Sequence, residues 1–169
     1  MEVGKVDLKT ENGIATVTFF HPQSNSLPGD ILRKLAEEIT AVGNNPSAKV
    51  IILKSDSPSQ PLQKDATPGT SPMGRQGGAA TFCAGASFDE LVAIKNFEEG
   101  KKFFTGFSLV INAMRKAPKF VIARVQGKAV GGGVGIASAA DYTFAMDSAA
   151  AKLSELAVGI GPFVVGPAV

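Results

Sequence analysis

Two short turns of small residues and one carboxylate carry the chemistry that this sequence could perform. The turns are Cys83–Ala86 and Gly131–Gly133, and each follows an apolar run and precedes a helical pattern. A helix that starts at such a turn leaves backbone N–H groups without partners, and glycine lets ligand oxygens approach them closely. Two converging N–H donors would form an oxyanion hole, in which each donor is worth about 3–4 kcal/mol when water is excluded. Such a site fits a thioester carbonyl that must become an enolate, while tight packing is the alternative role for either turn.

The pattern before the first turn predicts a β-β-α-β order. Strands are predicted at Lys5–Lys9 and Ile14–Phe20, because apolar and polar residues alternate in the second run and an Asn-Gly pair, a strong hairpin signal, lies between the two runs. Apolar residues at helical spacing predict a helix at Pro28–Val42. The β-branched run Val50–Leu53 predicts a buried parallel strand. His21, the only histidine, is predicted to be a solvated residue at a strand end rather than a catalytic group.

The pattern around the two turns predicts further strands and helices. A strand and a helix start are predicted at Thr81–Leu91, a longer helix at Phe97–Ala117, and a buried strand at Phe120–Val125 that enters the glycine triplet. The apolar face of the longer helix is predicted to be core, with acyl-chain contacts at its edge as the alternative. After Glu155, the sequence Gly159–Val169 predicts a turn that enters another helix. Two short strands are predicted before it, at Tyr142–Met146 and Ala151–Ser154.

The segment Ser57–Ala80 differs in composition from the rest of the chain. Its 24 residues include four prolines, four glycines and three serines, and almost no large apolar side chains. Such a segment buries too little surface to offset the entropy cost of ordering it. We therefore predict one domain, residues 1–169, that carries a mobile surface insertion at 57–80. A functional lid is the alternative role for this insertion.

Composition excludes several classes of function. The net charge of +2 and the scattered positions of the 17 basic residues predict no nucleic-acid-binding surface. No apolar run reaches the roughly 20 residues that cross a bilayer, and the charged N-terminus lacks a secretory signal pattern. The single cysteine forms no internal disulfide and is consistent with a reducing compartment. We expect a cytoplasmic protein without a membrane or nucleic-acid partner and without a bound metal.

Three segments, taken in order, resemble the crotonase (enoyl-CoA hydratase/isomerase) superfamily. They are TFCAGASFDEL at 81–91, KAPKFVIARVQGKAVGGGVGIASAADYTFA at 116–145 and AKLSELAVGIGPF at 151–163. The resemblance implies an α/β fold, a crotonase-like spiral of ββα units, here without the C-terminal helices of the family and with a C-terminus that could be truncated. It also implies an acyl-CoA substrate, a place in fatty acid metabolism, and a homotrimer or hexamer. No cofactor is implied beyond the coenzyme A that the substrate carries.

Carried over by position, the resemblance assigns catalytic roles to three residues. The backbone N–H groups of Ala86 and Gly132 would stabilise the enolate oxygen, and Glu155 would transfer the proton. Family hydratases carry a further glutamate two residues after the glycine triplet, where this chain has Gly135. One carboxylate suffices to move a proton between C2 and C4 of an enoyl-CoA, whereas the addition of water normally uses two groups.

The resemblance therefore implies Δ3,Δ2-enoyl-CoA isomerisation. The turn Gly159–Phe163 is similar to that of single-glutamate enoyl-CoA isomerases, although other segments resemble hydratases of the methylglutaconyl type. Hydration is the alternative reaction, and a non-catalytic acyl-CoA-binding or structural protein is the alternative from another class. Leu156 and Phe163 are expected to be apolar neighbours of the Glu155 carboxylate.

The resemblance places Cys83, Ala84 and Ser87 beside the bound coenzyme A, with the Cys83 backbone rather than its thiol in contact. A nucleophilic cysteine is not expected, because no histidine partner accompanies it. Asp141, at the end of the small-residue helix, is expected to form structural hydrogen bonds rather than to act in catalysis.

Overall fold

The main sheet begins with the predicted hairpin, in which an Asn-Gly turn joins the first two strands. In the computed structural model, which describes residues 4–56 and 81–169, β1 (Lys5–Glu11) pairs antiparallel with β2 (Ile14–Phe20). Asn12 and Gly13 both have positive φ, 50° and 81°, as a hairpin turn that matches the twist of its strands requires. The predicted insertion at Ser57–Ala80 lies outside the described residues.

Three sheets hold the strands of the described ranges. After the hairpin these strands are β3 (Ser26–Leu27), β4 (Val50–Ser55), β5 (Thr81–Cys83), β6 (Gly85–Ala86), β7 (Phe120–Val125), β8 (Lys128–Val130), β9 (Tyr142–Ala145) and β10 (Ala151–Lys152). The main sheet has the order β1-β2-β4-β7-β9, and every pair after the hairpin is parallel. A three-stranded parallel sheet has the order β10-β8-β5, and β3 pairs with β6. β4, predicted to be a buried parallel strand, and β7, predicted to be a buried strand, both lie inside the main sheet.

Helices and single helical turns connect these strands. Within the described ranges they are α1 (Gly29–Gly43), α2 (Phe88–Ala93), α3 (Phe97–Lys116), α4 (Gly132–Ala139) and the 3₁₀ helices Glu155–Val158 and Gly166–Ala168. The side chain of Asn96 caps α3 by accepting the Glu99 N–H. The prediction of an α-helix within Gly159–Val169 is wrong. Gly159 has a φ of 76°, and two prolines and two further glycines keep the segment from extending beyond short turns.

The core is formed by the main sheet together with α1 and α3. The predicted apolar face of α1 is buried, and it consists of Ile31, Leu32, Leu35, Ile39 and Val42. The face of α3 that is predicted to be core is also buried, except that Phe103 is only half-buried; it consists of Phe103, Phe107, Val110, Ile111 and Met114. Phe19 on β2 and Phe82 on β5 pack edge to face with ring centroids 5.4 Å apart. This contact ties the main sheet to the strand that precedes the first small-residue turn.

The small sheets bring the three predicted catalytic residues to one place. β8 lies between β5 and β10, and both pairings are parallel. β5 leads into the first turn, β8 leads into Gly131 and α4, and β10 leads toward Glu155. Because parallel strands end at the same edge of a sheet, where ligands of α/β proteins commonly bind, all three features meet at that edge.

Candidate active site

The first turn lies directly against the second. Gly85 has a φ of 97°, in a region that residues with side chains rarely adopt. A Cβ atom at this position would lie 3.1 Å from the carbonyl oxygen of Val130 and 3.7 Å from the backbone nitrogen of Gly132. The two turns, which are about 46 residues apart in the chain, are therefore neighbours in the fold, as the oxyanion hypothesis requires.

Gly131 joins β8 to α4 with a positive φ of 51°, which glycine adopts readily. Its N–H donates to the carbonyl oxygen of Lys152 on β10 at 2.9 Å, and its own carbonyl oxygen accepts the Val134 N–H at 2.9 Å. The first bond anchors the start of α4 to the strand that leads to Glu155. The turn and the carboxylate are thus positioned by the same strand pair.

The next two glycines are required by close packing. A Cβ atom on Gly132 would overlap the ring of Phe107 on α3, and one on Gly133 would lie 2.6 Å from the carbonyl oxygen of Cys83. Real Cβ atoms do not approach other atoms so closely, and protein interiors relax only partly around such overlaps. The glycine triplet is therefore held against α3 on one side and against the first turn on the other.

Glu155 starts a 3₁₀ helix beside the second turn. A Cβ atom on Gly131 would lie 3.3 Å from Oε1 of Glu155, so the carboxyl group reaches the glycine turn. Its Oε2 atom is buried and has no hydrogen-bond partner among the described residues. A buried polar atom without a partner is costly, and a catalytic role is one of the common reasons for keeping it.

A cavity of about 230 Å³ lies in front of the two turns and Glu155. Ala84–Ala86 and Gly131–Gly132 contribute its small-residue wall. The other lining residues are apolar, small or hydroxyl-bearing, namely Ser26, Phe88, Leu91, Phe103, Phe104, Phe107, Ser154, Val158, Ile160, Gly161, Pro162, Val164 and Val165. Within the described ranges, Glu155 is the only charged residue that lines it. An apolar pocket with a few convergent polar groups is typical of a small-molecule site.

Gly135 faces packed side chains rather than open space. A Cβ atom at this position would lie 2.5 Å from Cγ1 and 2.8 Å from Cβ of Val165, and 3.2 Å from Cδ1 of Ile111. Both of these side chains are buried. The position that carries a glutamate in family hydratases therefore has no room for a longer side chain in this fold.

Of the three residues predicted to contact coenzyme A, Ala84 alone lines this cavity. The Cys83 thiol is fully buried and accepts the Gly85 N–H at 3.4 Å, and burial raises the pKa of this thiol to about 12. The Ser87 hydroxyl is also buried and accepts the Glu90 N–H at the start of α2. A protonated, buried thiol is a poor nucleophile, as expected. Contact of the three residues with coenzyme A stays a prediction.

Two expectations about the surroundings of side chains are wrong, one for Glu155 and one for His21. Leu156 and Phe163 do not surround the Glu155 carboxylate, since their exposed fractions are 80% and 86%. Successive residues of a 3₁₀ helix lie about 120° apart, so Leu156 faces solvent when Glu155 faces the cavity. His21 is half-buried rather than solvated, and its Nδ1 atom is buried without a hydrogen-bond partner among the described residues.

One predicted structural residue and two unpredicted lining residues complete the comparison with the sequence-based expectations. Asp141 is structural as predicted, because its Oδ2 atom accepts the Val121 N–H at 2.7 Å. Sequence reasoning missed Phe104 and Val165 as lining residues. The Phe103-Phe104 pair was a usable signal, since adjacent helical residues cannot share one core face. No local pattern marks Val165.

Residues 4–56 and 81–169 contain no group of three or more His, Cys, Asp or Glu side chains that could hold a metal ion. Over the same ranges, no helix has the length and apolar character needed to cross a bilayer.

The chain is similar to curated proteins whose names specify a CoA thioester as the substrate. The chain is 26% identical over 161 residues to the ethylmalonyl-CoA decarboxylase of Xenopus tropicalis, covering 94% of this chain and 46% of that protein. It is 29% identical over 138 residues to the mitochondrial methylglutaconyl-CoA hydratase of Rattus norvegicus, covering 82% of this chain and 37% of that protein. The chain thus spans about half or less of the length of these relatives.

The fold and the family are shown by two further matches. The structure of human enoyl Coenzyme A hydratase domain-containing protein 3 superimposes with a TM-score of 0.78 at 22% identity, covering 96% of this chain and 56% of that chain. This match confirms the predicted crotonase-like α/β fold. The family model described as enoyl-CoA hydratase/isomerase matches residues 76–168, which include both turns and Glu155. The chain belongs to the enoyl-CoA hydratase/isomerase family.

Proposed function

We propose that this site binds an acyl-CoA thioester and converts a Δ3-enoyl-CoA into its Δ2 isomer through an enolate. The observation that carries the proposal is the Glu155 carboxyl group. It is the only charged group among the described lining residues, and its buried Oε2 atom has no hydrogen-bond partner among them. It also lies beside the second of two adjacent turns that offer backbone donors.

The N–H groups of Ala86 and Gly132 are the proposed donors to the thioester oxygen. Successive residues of a strand point in opposite directions, and the Ser87 N–H donates toward β3, to the carbonyl oxygen of Leu27 at 3.1 Å. In the proposed arrangement the Ala86 N–H is directed away from β3, toward the cavity that Ala86 lines. Gly132 is the first residue of α4, where an N–H has no acceptor within the helix.

The proposed reaction needs one carboxylate. Glu155 removes a proton from C2, and the electron pair of that C–H bond moves onto the thioester oxygen, where the two N–H donors stabilise the charge. The carboxyl group then returns the proton to C4 as the carbonyl re-forms. The double bond moves from C3–C4 to C2–C3, and no atom is gained or lost.

Hydration is less well supported by this arrangement. It must activate water and also protonate carbon, and these tasks are usually shared by two groups. Gly135 stands where family hydratases have a glutamate, and its surroundings are filled by Val165 and Ile111. The similarity to a methylglutaconyl-CoA hydratase nevertheless makes hydration a necessary outcome to test.

Decarboxylation of a 2-carboxyacyl-CoA is a second candidate, favoured by the similarity to an ethylmalonyl-CoA decarboxylase over 94% of the chain. In this reaction the bond between C2 and the carboxylate breaks, CO₂ leaves, and the electron pair moves onto the thioester oxygen. The acid form of Glu155 then donates a proton to C2. The same two N–H donors and the same single carboxyl group serve this reaction.

The walls of the cavity support an uncharged acyl chain as the part of the substrate that enters it. Phe103, Phe104 and Phe107 contribute three aromatic rings from one helix. A cavity of about 150 Å³ accommodates benzene, so a cavity of 230 Å³ has room for a short or medium acyl chain. Burial of such a chain is favourable by about 0.8 kcal/mol per methylene group.

One incubation experiment separates the candidate reactions. The protein is incubated in turn with a 3-enoyl-CoA, a 2-enoyl-CoA and ethylmalonyl-CoA, and the products are separated and weighed by mass spectrometry. Isomerisation leaves the mass unchanged and creates a conjugated thioester, hydration adds one water, and decarboxylation removes CO₂. Binding of the thioesters without any conversion would reject an enzyme in favour of a non-catalytic acyl-CoA-binding protein. The homotrimer or hexamer and the cytoplasmic location stay predictions.

A further inference from the structure

Asn25 is a fully buried polar residue in an unusual backbone conformation. Its exposed fraction is 0%, and its φ is 56°, in the left-handed region. Asparagine tolerates this region better than most residues that carry side chains, because its short amide can bond locally. Burial of a polar amide is costly unless its hydrogen-bonding groups are paired, so the partners of Asn25 indicate what the residue does.

The side-chain amide of Asn25 joins three parts of the fold. Oδ1 accepts the His21 N–H at 2.7 Å, just after the end of β2. Nδ2 donates to the carbonyl oxygen of Asp56 at 2.8 Å, just after β4, and to that of Thr81 at 3.1 Å, in β5. Both amide protons and one acceptor are thereby used. The strand that leads into the first turn is consequently bonded to the ends of two strands of the main sheet.

Asn25 and the two residues that follow it form hydrogen bonds with the first turn and the residue after it. The Asn25 carbonyl oxygen accepts the Ala84 N–H at 3.1 Å. The Ser26 hydroxyl donates to the Ala86 carbonyl oxygen at 2.9 Å. Leu27 is opposite Ala86 in the β3–β6 ladder, and its carbonyl oxygen accepts the N–H of the residue after Ala86. These bonds and the ladder pairing all come from three consecutive residues, Asn25–Leu27.

We propose that Asn25–Leu27 is the positioning segment of the Ala86 N–H, and that the Asn25 amide is its anchor. The inference rests on the proposed role of Ala86 as a donor to the thioester oxygen. A donor aimed at a developing negative charge acts most strongly in the transition state, so a displaced donor lowers kcat more than it raises KM. Asn25 touches no substrate atom and acts through the turn.

Asn25→Asp is the sharpest test, because it keeps the shape of the side chain and replaces the two-proton donor by a carboxylate that faces two carbonyl oxygens. Ser26→Ala removes the hydroxyl bond to the Ala86 carbonyl and leaves the Asn25 amide in place. Asn44→Asp is the matched control, because the Asn44 amide also donates to a backbone carbonyl, that of Thr40 at 3.0 Å, but at the end of α1.

Two measurements are made on each variant. The first is kcat and KM per folded protein, with the substrate that the wild type converts. The second is the ¹³C chemical shift of the thioester carbonyl in a bound, saturated acyl-CoA, which reports polarisation of that carbonyl without turnover. For Asn25→Asp we expect kcat to fall about 10- to 100-fold with KM within about threefold, and the shift on binding to shrink. For Ser26→Ala we expect a fall of about threefold or more, and Asn44→Asp should match the wild type.

The outcomes separate this inference from the function on which it rests. A wild-type protein that binds the acyl-CoA without any ¹³C shift would reject the donor role of Ala86 and this inference with it. A clear wild-type shift that is unchanged in folded Asn25→Asp, with unchanged kcat, would reject the positioning role alone. If Asn25→Asp does not fold, Ser26→Ala decides, and an unchanged shift and kcat in that variant would overturn the inference.

Discussion

The backbone of Gly135 lies directly against the side chain of Val165. A Cβ atom at position 135 would be only 2.5 Å from Cγ1 of Val165, closer than real Cβ atoms approach other atoms. Gly135 lies in the helix that follows the second turn, and Val165 immediately precedes the last 3₁₀ helix. This contact packs the C-terminal segment onto the helix that presents the proposed oxyanion donor, and it occupies the space that a second carboxylate would need.

We predict that Gly135→Ala destabilises the protein, although a glycine-to-alanine change inside a helix normally stabilises by about 1 kcal/mol. The added methyl group overlaps Val165, and such overpacking costs about 1–3 kcal/mol. Chemical denaturation measures the free energy of unfolding. Gly166→Ala is the control, because nothing lies within 4 Å of its added Cβ atom. Equal stabilities of the two variants would contradict the packing described for Gly135.

Replacement of the cavity carboxylate is expected to separate binding from chemistry. In Glu155→Gln the amide keeps the size of the side chain but cannot take up a proton, so turnover should fall about 10²- to 10⁴-fold. Binding of a saturated acyl-CoA, measured by calorimetry, should change little. Glu37→Gln, on the exposed face of α1, provides the matched control. Full activity in Glu155→Gln would remove Glu155 from the proposed mechanism.

The aromatic wall of the cavity is expected to set acyl-chain length. Phe103 is half-buried, and its ring centroid lies 5.1 Å from that of Phe104. Phe103→Ala enlarges the cavity, so the ratio of kcat/KM for a longer acyl chain to that for a shorter one should rise about tenfold. Phe97→Ala, at an 80% exposed position outside the cavity, should leave the ratio unchanged. A constant ratio in Phe103→Ala would place the acyl chain elsewhere.

Burial of the Cys83 thiol is expected to make the free energy of unfolding decrease at high pH. The pKa of Cys83 is raised by burial from an ordinary value of 9.0 to about 12. Between these values the unfolded chain has released the thiol proton and the folded chain has not, so stability from this group is complete below pH 9 and declines as the pH rises toward 12. Unfolding curves from pH 8 to 11 should show a shallower decline for Cys83→Ala than for the wild type. Parallel curves would mean that the thiol titrates alike in both states.

Elements with clear local boundaries could be predicted from the sequence to the residue. Ile14–Phe20 and Phe120–Val125 coincide with β2 and β7, because each run alternates or is β-branched and is bounded by a turn or a helix break. The apolar face of α1 follows the helical period and is buried as expected. Gly159–Val169 was misjudged, because its apolar residues suggested a helix whereas its glycines and prolines permit only short turns.

The site was harder to predict than the elements, because it depends on partners that are distant in sequence. The resemblance suggested that Ala86 and Gly132 act together, but their adjacency in space comes from β8 lying between β5 and β10. The periodicity of apolar residues within a segment does not specify which strands pair with each other in a sheet. The same holds for Val165, whose place in the cavity wall depends on a contact with Gly135 that is 30 residues away.

If the proposed function holds, the hydrogen bond from the Gly131 N–H to the Lys152 carbonyl oxygen has a consequence for how activity is lost on heating. β10 has two residues, both exposed, and this short ladder holds Glu155 beside the second turn. Such exposed edges open with far smaller free energies than a buried core. Inactivation should therefore precede global unfolding, and amide hydrogen exchange at Gly131 should follow the temperature dependence of activity rather than that of the main sheet. The proposed activity would then depend on the β8–β10 ladder, which opens more easily than the main sheet.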